Sequence, residues 1–149
     1  MRPAAVASGV VPVFVRFQSA APNRRGRFPG VFALTNGLGQ GGLLSPEDHA
    51  WWRAENARAD ALYPDPSTVD PSCYDRAVNP GARAWFKDTA HDLLELAAEY
   101  LRLLDRYGVP WVELRSSSPG RILYEDDVQV VAVSYTYEAD WRLTSPHVS

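Results

Sequence analysis

The stretch 79-NPGARAWFKDTAHDLLELAAEYLRLLDRYGVP-110 carries the strongest secondary-structure signal of the chain. Asn79 can cap a helix that Pro80 begins, and Gly108 followed by Pro110 is typical of a helix end. Apolar side chains recur at helical spacing between these signals: Phe86, Ala90, Leu93, Ala97, Leu101 and Leu104. The stretch therefore predicts one helix over residues 80–107, roughly 40 Å long.

Short apolar runs on both sides of this helix predict strands. Residues 111–115, 121–124 and 128–137 follow it and are separated by turn signals, while residues 10–19 alternate apolar and polar side chains. We expect an α+β fold. Its small antiparallel sheet combines the N-terminal strand with a C-terminal three-strand meander, and one long and one shorter helix cover the sheet.

The shorter helix has a clear beginning. Ser45 is a good N-cap, Pro46 suits the first helical position, and the helix is expected to run to about Leu62. The apolar run over residues 31–35 predicts a second short strand. A Pro-rich crossing over residues 63–78 then leads to the long helix.

Length and composition restrict the class of protein. The 149 residues predict a single domain over 1–149, with loose termini over 1–9 and 143–149. The net charge of −3 argues against a nucleic-acid partner, and no apolar run is long enough for a membrane span, so we expect a cytoplasmic protein. The single cysteine, Cys73, excludes an intramolecular disulfide, and no metal or cofactor is predicted.

A glycine-rich segment invites comparison with a dinucleotide-binding loop. Residues 37–42, GLGQGG, match the pattern G-x-G-x-x-G. In a dinucleotide-binding loop the helix opens among the glycines, whereas here the helix cap at Ser45 comes three residues after the last one, so we do not expect this segment to bind a dinucleotide. The segment is interpreted as a mobile surface loop that can close over a ligand beside the start of the shorter helix.

Two polar stripes on otherwise apolar elements, on either side of the glycine-rich loop, suggest a ligand site. The eight candidates are Arg16, Gln18, Asn36, Gly39, His49, Trp52, Arg53 and Asn56. Arg16 and Arg53 are expected to hold an anionic group, and Trp52 to stack on a flat ligand. His49 is the candidate acid or base if chemistry occurs. The leading hypothesis is a binder of an anionic or aromatic small molecule, which could be a small biosynthetic enzyme.

A non-catalytic protein partner is the alternative. An immunity protein, an accessory subunit or a phage-encoded inhibitor would use surplus aromatic residues at its interface. The candidate patch consists of Trp52, Trp85, Tyr135 and Trp141. Both hypotheses are compatible with a monomer or a homodimer.

The segment GRILYEDDVQVVAVSYTYEADWR, residues 120–142, resembles the C-terminal hairpin of RelE/ParE-type toxins. The resemblance implies a small antiparallel sheet with two N-terminal helices and, as in the ribosome-dependent members, mRNA cleavage. The chain departs from that family in its Pro-rich crossing and low basic charge. Only Arg121 and Arg142 could stand for the family's basic cluster.

A second resemblance, to ADP-ribosyltransferases, rests on the order of three elements. Arg16 on an early strand, the serines at 116–118 and the later acid Glu125 follow the family's order. The resemblance implies transfer of ADP-ribose, but the serines and the acid are much closer together here than in that family.

Overall fold

The computed structural model describes residues 11–134 and 142–147, which form an antiparallel sheet with helices packed on it. The predicted α+β class is confirmed. The strands are β1 (Phe14–Ser19), β2 (Arg83–Lys87), β3 (Trp111–Ser116), β4 (Arg121–Glu125), β5 (Gln129–Val133) and β6 (Arg142–His147). The helices are α1 (Val31–Gln40), α2 (Pro46–Leu62), α3 (Pro66–Val69) and α4 (His91–Arg106).

The strand order of the sheet is β4-β5-β2-β1-β3-β6, and every neighbouring pair is antiparallel. The β4–β5 hairpin agrees with the predicted meander, whereas β3 lies across the sheet because β1, β2 and β5 separate it from β4. Residues 143–147, predicted as part of a loose terminus, belong to β6 and pair with the outer edge of β3. Residues 1–9 lie outside the described residues.

The helix predicted over residues 80–107 is wrong in its first third. Arg83–Lys87 form β2, and α4 begins only at His91, so its 16 residues span about 24 Å. Successive strand residues face opposite sides of a sheet. Trp85 and Phe86 are both buried, in two different core clusters, as that alternation requires. Asn79 caps no long helix, and its amide donates instead to the Ser72 carbonyl.

The predicted strand at 31–35 and the predicted glycine loop are both wrong, because Val31–Gln40 form helix α1. The reason lies in the packing of α1 against α2. A Cβ on Gly39 would stand 2.5 Å from ring atoms of Trp52, so only glycine allows this approach. The chain turns after α1 at Gly42, whose φ of +70° suits glycine.

Helix α2 matches its prediction, and its first turn is tied to the end of α4. The Ser45 hydroxyl accepts from the Asp48 amide, as an N-cap should. The Asp48 carboxylate accepts from the Arg106 guanidinium at 2.9 Å and from the Tyr107 hydroxyl at 2.7 Å. These bonds connect two helices that are distant in sequence.

The same contacts predict a loss of stability in acid. The hydrogen bond from Tyr107, together with Arg106, lowers the pKa of Asp48 below its ordinary 3.8. The ionised Asp48 carboxylate therefore stabilises the fold at pH values above its ordinary pKa. This stabilisation is lost as the pH falls through the lowered pKa of the folded protein. We expect Asp48→Asn to reduce the difference between the unfolding free energies measured in urea at about pH 7 and about pH 3. Glu47→Gln, at the neighbouring exposed position, should keep the wild-type difference; equal effects of the two variants contradict this account.

Candidate functional site

A cavity of about 530 Å³ lies where the first two strands diverge. Strands β1 and β2 supply one side of it, and α1, α4 and the second half of α2 supply another. Residues 63–66 of the Pro-rich crossing close a third side. The volume is within the roughly 300–1,000 Å³ typical of small-molecule sites.

Arginine side chains form the strand side of the cavity. The β1–β2 ladder is in register only at Phe14–Lys87 and Val15–Phe86. Beyond these pairs the two strands separate, and the Arg16 side chain lies between them. Its guanidinium donates to the Ala84 carbonyl at 2.9 Å, to the Phe28 carbonyl at 2.8 Å and to the Gln18 amide oxygen at 2.7 Å.

Two cationic residues line this wall, Arg16 and Arg83. Arg16 is buried, with 8% of its surface exposed. Arg83 is half-buried, lines the same cavity and lies with its guanidinium carbon 6.0 Å from the centre of the Phe28 ring. The planar guanidinium group is well suited to carboxylate or phosphate ligands.

A chain of hydrogen bonds crosses the helical side of the cavity. The Tyr100 hydroxyl donates to Asn56 Oδ1 at 2.6 Å, and Asn56 Nδ2 donates to Asn36 Oδ1 at 3.0 Å. Trp52 Nε1 donates to the same Asn36 oxygen at 3.1 Å. Asn36, Asn56 and Tyr100 all line the cavity, so three helices meet there through polar groups.

Aromatic rings supply most of the remaining wall. Phe32 lies edge-on to Tyr100 at 4.9 Å between ring centres and 5.8 Å from Phe86. Tyr74 reaches the cavity from the Pro-rich crossing. Burial raises the pKa of Tyr74 and of Tyr100 to about 12 each. Both phenols are thus protonated at neutral pH: the Tyr100 hydroxyl donates to Asn56, and the Tyr74 hydroxyl can donate a hydrogen bond.

The acids that reach this cavity, Asp60 and Asp65, are on its exposed side. The Asp65 carboxylate accepts from the amide and the hydroxyl of Ser67 and thereby caps α3. The crossing is held to the sheet by Gln129, whose side-chain amide donates to the Pro64 carbonyl. Both acids are thus exposed to solvent, whereas Arg16 is buried.

The structure brings three of the eight predicted site residues to the cavity wall: Arg16, Asn36 and Asn56. Gln18 is buried behind the wall and accepts from Arg16 Nε. The ligand contacts assigned to these residues stay predictions.

Trp52 lies between two helices and not on the cavity wall. Trp52 is only 8% exposed, because its ring packs against Gly39 and its Nε1 is bound to Asn36. This position gives no support to the predicted stacking of Trp52 on a flat ligand, which stays a prediction. Gly39 belongs to a helix–helix contact and not to a mobile loop.

Two further predicted residues lie apart from Arg16. The His49 ring packs edge-on to Trp52 at 5.2 Å, and Arg53 is exposed on the outside of α2. Neither lines the cavity. The acid–base role predicted for His49 therefore has no support from its position.

The aromatic patch of the partner hypothesis is not formed by the members that the structure describes. Trp52 is buried, and Trp85 is completely buried. Tyr135 and Trp141 lie outside the described residues.

Several wall residues were not predicted from the sequence, above all Arg83 and Tyr100. Arg83 lies in the first part of the stretch predicted as a helix, which is a strand here, and Tyr100 lies in the helical part of that stretch without a feature that marks it as a site residue. Residues 83–87 contain a short apolar run that fits helix and strand patterns alike, so the local sequence carries no decisive signal for β2. No local pattern indicated that Tyr100 meets Asn56, 44 positions earlier.

Comparison with protein-family models, with curated proteins and with solved structures gave no match to this chain. Among residues 11–134 and 142–147, no group of three or more His, Cys, Asp or Glu side chains is arranged to hold a metal ion. In the same part of the chain, no helix combines the length and the apolar character needed to cross a membrane.

Proposed function

We propose that the protein binds a small, flat organic anion in the cavity between β1, β2 and the helices. The observation that carries this proposal is the combination of two arginines on the cavity wall, Arg16 and Arg83, with aromatic rings on the same wall. A charge in a poorly hydrated site attracts a counter-charge more strongly than an exposed one does. Aromatic rings favour a ligand with a planar apolar body.

The position of the acids supports the sign of the ligand's charge. Asp60 and Asp65 are exposed, so water screens them, and the Asp65 carboxylate is already engaged in capping α3. Arg16 is buried. The inner part of the cavity therefore favours an anionic group, and the outer part does not oppose it strongly.

The proposal is one of binding without a chemical step. Among the described residues that line the cavity, none is a histidine or a cysteine. The two phenols with raised pKa values, Tyr74 and Tyr100, are poor bases at neutral pH. The groups at the wall are suited to hold an anion and to exclude water from it.

Benzoate and its neutral isostere benzamide test this proposal by isothermal titration calorimetry. We expect the protein to bind benzoate more tightly than benzamide. Arg83→Gln should lower the affinity for benzoate about tenfold, in line with the loss of a charged hydrogen bond, and should leave the affinity for benzamide nearly unchanged.

Arg53→Gln is the matched control, because Arg53 is an exposed arginine outside the cavity. It should bind both probes like the wild type. The proposal is overturned if benzoate shows no saturable binding, if benzamide binds equally well, or if Arg53→Gln weakens benzoate as much as Arg83→Gln does.

A further inference from the structure

The side-chain amide of Asn36 has a defined orientation, set by its neighbours. An indole N–H can only donate, so the Asn36 atom 3.1 Å from Trp52 Nε1 must be the oxygen. That oxygen also faces Asn56, which must then present its own nitrogen, at 3.0 Å. The Asn56 oxygen is left to face Tyr100, whose hydroxyl donates to it. Trp52 thus determines the direction of the whole chain of bonds.

One consequence concerns the nitrogen of Asn36. Its oxygen is committed to two donors, whereas Nδ2 has no hydrogen-bond partner among residues 11–134 and 142–147. Asn36 lines the cavity and is half-buried. What this residue can offer to a ligand is therefore a pair of N–H donors.

We infer that the ligand carries a hydrogen-bond acceptor oxygen at the end that meets Asn36, in addition to the anionic group held by the arginines. The inference rests on the proposed function and specifies its ligand class: flat carboxylates with a second carbonyl or carboxylate group. Guanidinium groups also only donate. Arg16, Arg83 and Asn36 thus all favour acceptors, and a ligand with a donor at its second end loses a bond at Asn36.

Replacing Asn36 by aspartate inverts this preference with little change of shape. The new carboxylate keeps one oxygen for Trp52 and Asn56 and places an acceptor where the N–H donors were. Two probes of equal charge and similar size report the change: 4-acetylbenzoate, with a carbonyl acceptor, and 4-aminobenzoate, with an amine donor. Because each probe carries one negative charge, the added charge of the variant weakens the binding of both probes to a similar extent. The ratio of the two dissociation constants therefore reports only whether donor and acceptor match at residue 36.

In the wild type, we expect 4-acetylbenzoate to bind about tenfold more tightly than 4-aminobenzoate. In Asn36→Asp, we expect 4-aminobenzoate to be the tighter ligand. A ratio that is the same in both proteins overturns the inference. If that ratio is unchanged while the wild type binds both probes and Arg83→Gln weakens the binding of both, the proposed function stands and the inference fails. If the wild type binds neither probe, both fail.

A measurement on the wild type keeps the inference falsifiable should the variant not fold. In ¹⁵N-labelled protein, the side-chain amide resonances of Asn36 should shift and saturate with 4-acetylbenzoate. They should shift less with 4-aminobenzoate at equal occupancy. Equal shifts with the two probes, or none with 4-acetylbenzoate, contradict the assignment of Asn36 as the acceptor-recognising residue.

Discussion

Replacing Leu101 by alanine is expected to lower the free energy of unfolding by about 2–5 kcal/mol. Leu101 is 7% exposed and belongs to the core cluster that joins α4 to α1 and the sheet. The substitution removes buried apolar surface and leaves a cavity that neighbouring side chains fill only in part. Since small domains are stable by about 5–15 kcal/mol in total, this loss is large. Chemical denaturation in urea measures it.

Leu62→Ala is the matched control, because Leu62 is a leucine of α2 with 57% of its surface exposed. It should change the free energy of unfolding by no more than about 0.5 kcal/mol. A Leu101→Ala protein as stable as the Leu62→Ala protein would show that the buried face of α4 is wrongly assigned.

Two glycine substitutions in α1 are expected to have opposite effects. Gly39→Ala should destabilise the protein by about 1–3 kcal/mol, since the new methyl group overlaps the Trp52 ring, which cannot move freely inside the core. Gly37→Ala should stabilise it by up to about 1 kcal/mol, since alanine favours a helix and nothing lies within 4 Å of the added Cβ. Thermal denaturation of the two variants beside the wild type measures both changes.

The pair tests whether residues 31–40 form a helix packed on α2. In a mobile loop, both substitutions would have small effects of the same kind. Destabilisation by Gly37→Ala, or no change with Gly39→Ala, contradicts the packing of α1 described above.

Local chemistry predicted α2 well and α1 poorly, for related reasons. Ser45 and Pro46 signal a helix start through contacts within one turn, so sequence alone reveals them. Glycines at 37 and 39 lower helix propensity locally, but propensity is a weak determinant when packing opposes it. Gly39 is required by a ring 13 positions later, and that contact has no local signature.

The boundary between β2 and α4 shows a different limit. Asn79-Pro80-Gly81 resembles a helix start, and a short apolar run such as Trp85-Phe86 fits helix and strand patterns alike. Tertiary structure resolves the ambiguity, because β2 fills the position between β1 and β5. The strongly periodic part of the stretch, from His91 onward, is helical as predicted.

Polar residues on apolar elements predicted part of the cavity wall, while their contacts with a ligand stay predictions. Arg16, Asn36 and Asn56 reach the cavity wall. On α2, however, the same polar stripe included Arg53, which lies about 100° around the helix from Trp52 and faces outward. The direction of a helix face depends on what it packs against, and α1 was not predicted as that partner.

A crystal structure of the wild-type protein, from crystals grown with benzoate, shows whether the cavity is the ligand site. We expect benzoate inside the cavity, with its carboxylate within roughly 2.7–3.2 Å of a guanidinium nitrogen of Arg83 or Arg16 and its ring against Phe32 or Phe86. Benzoate found on the outer face of α2, beside His49 and Arg53, would contradict this expectation. So would an empty cavity in crystals grown at a benzoate concentration that saturates the protein in solution.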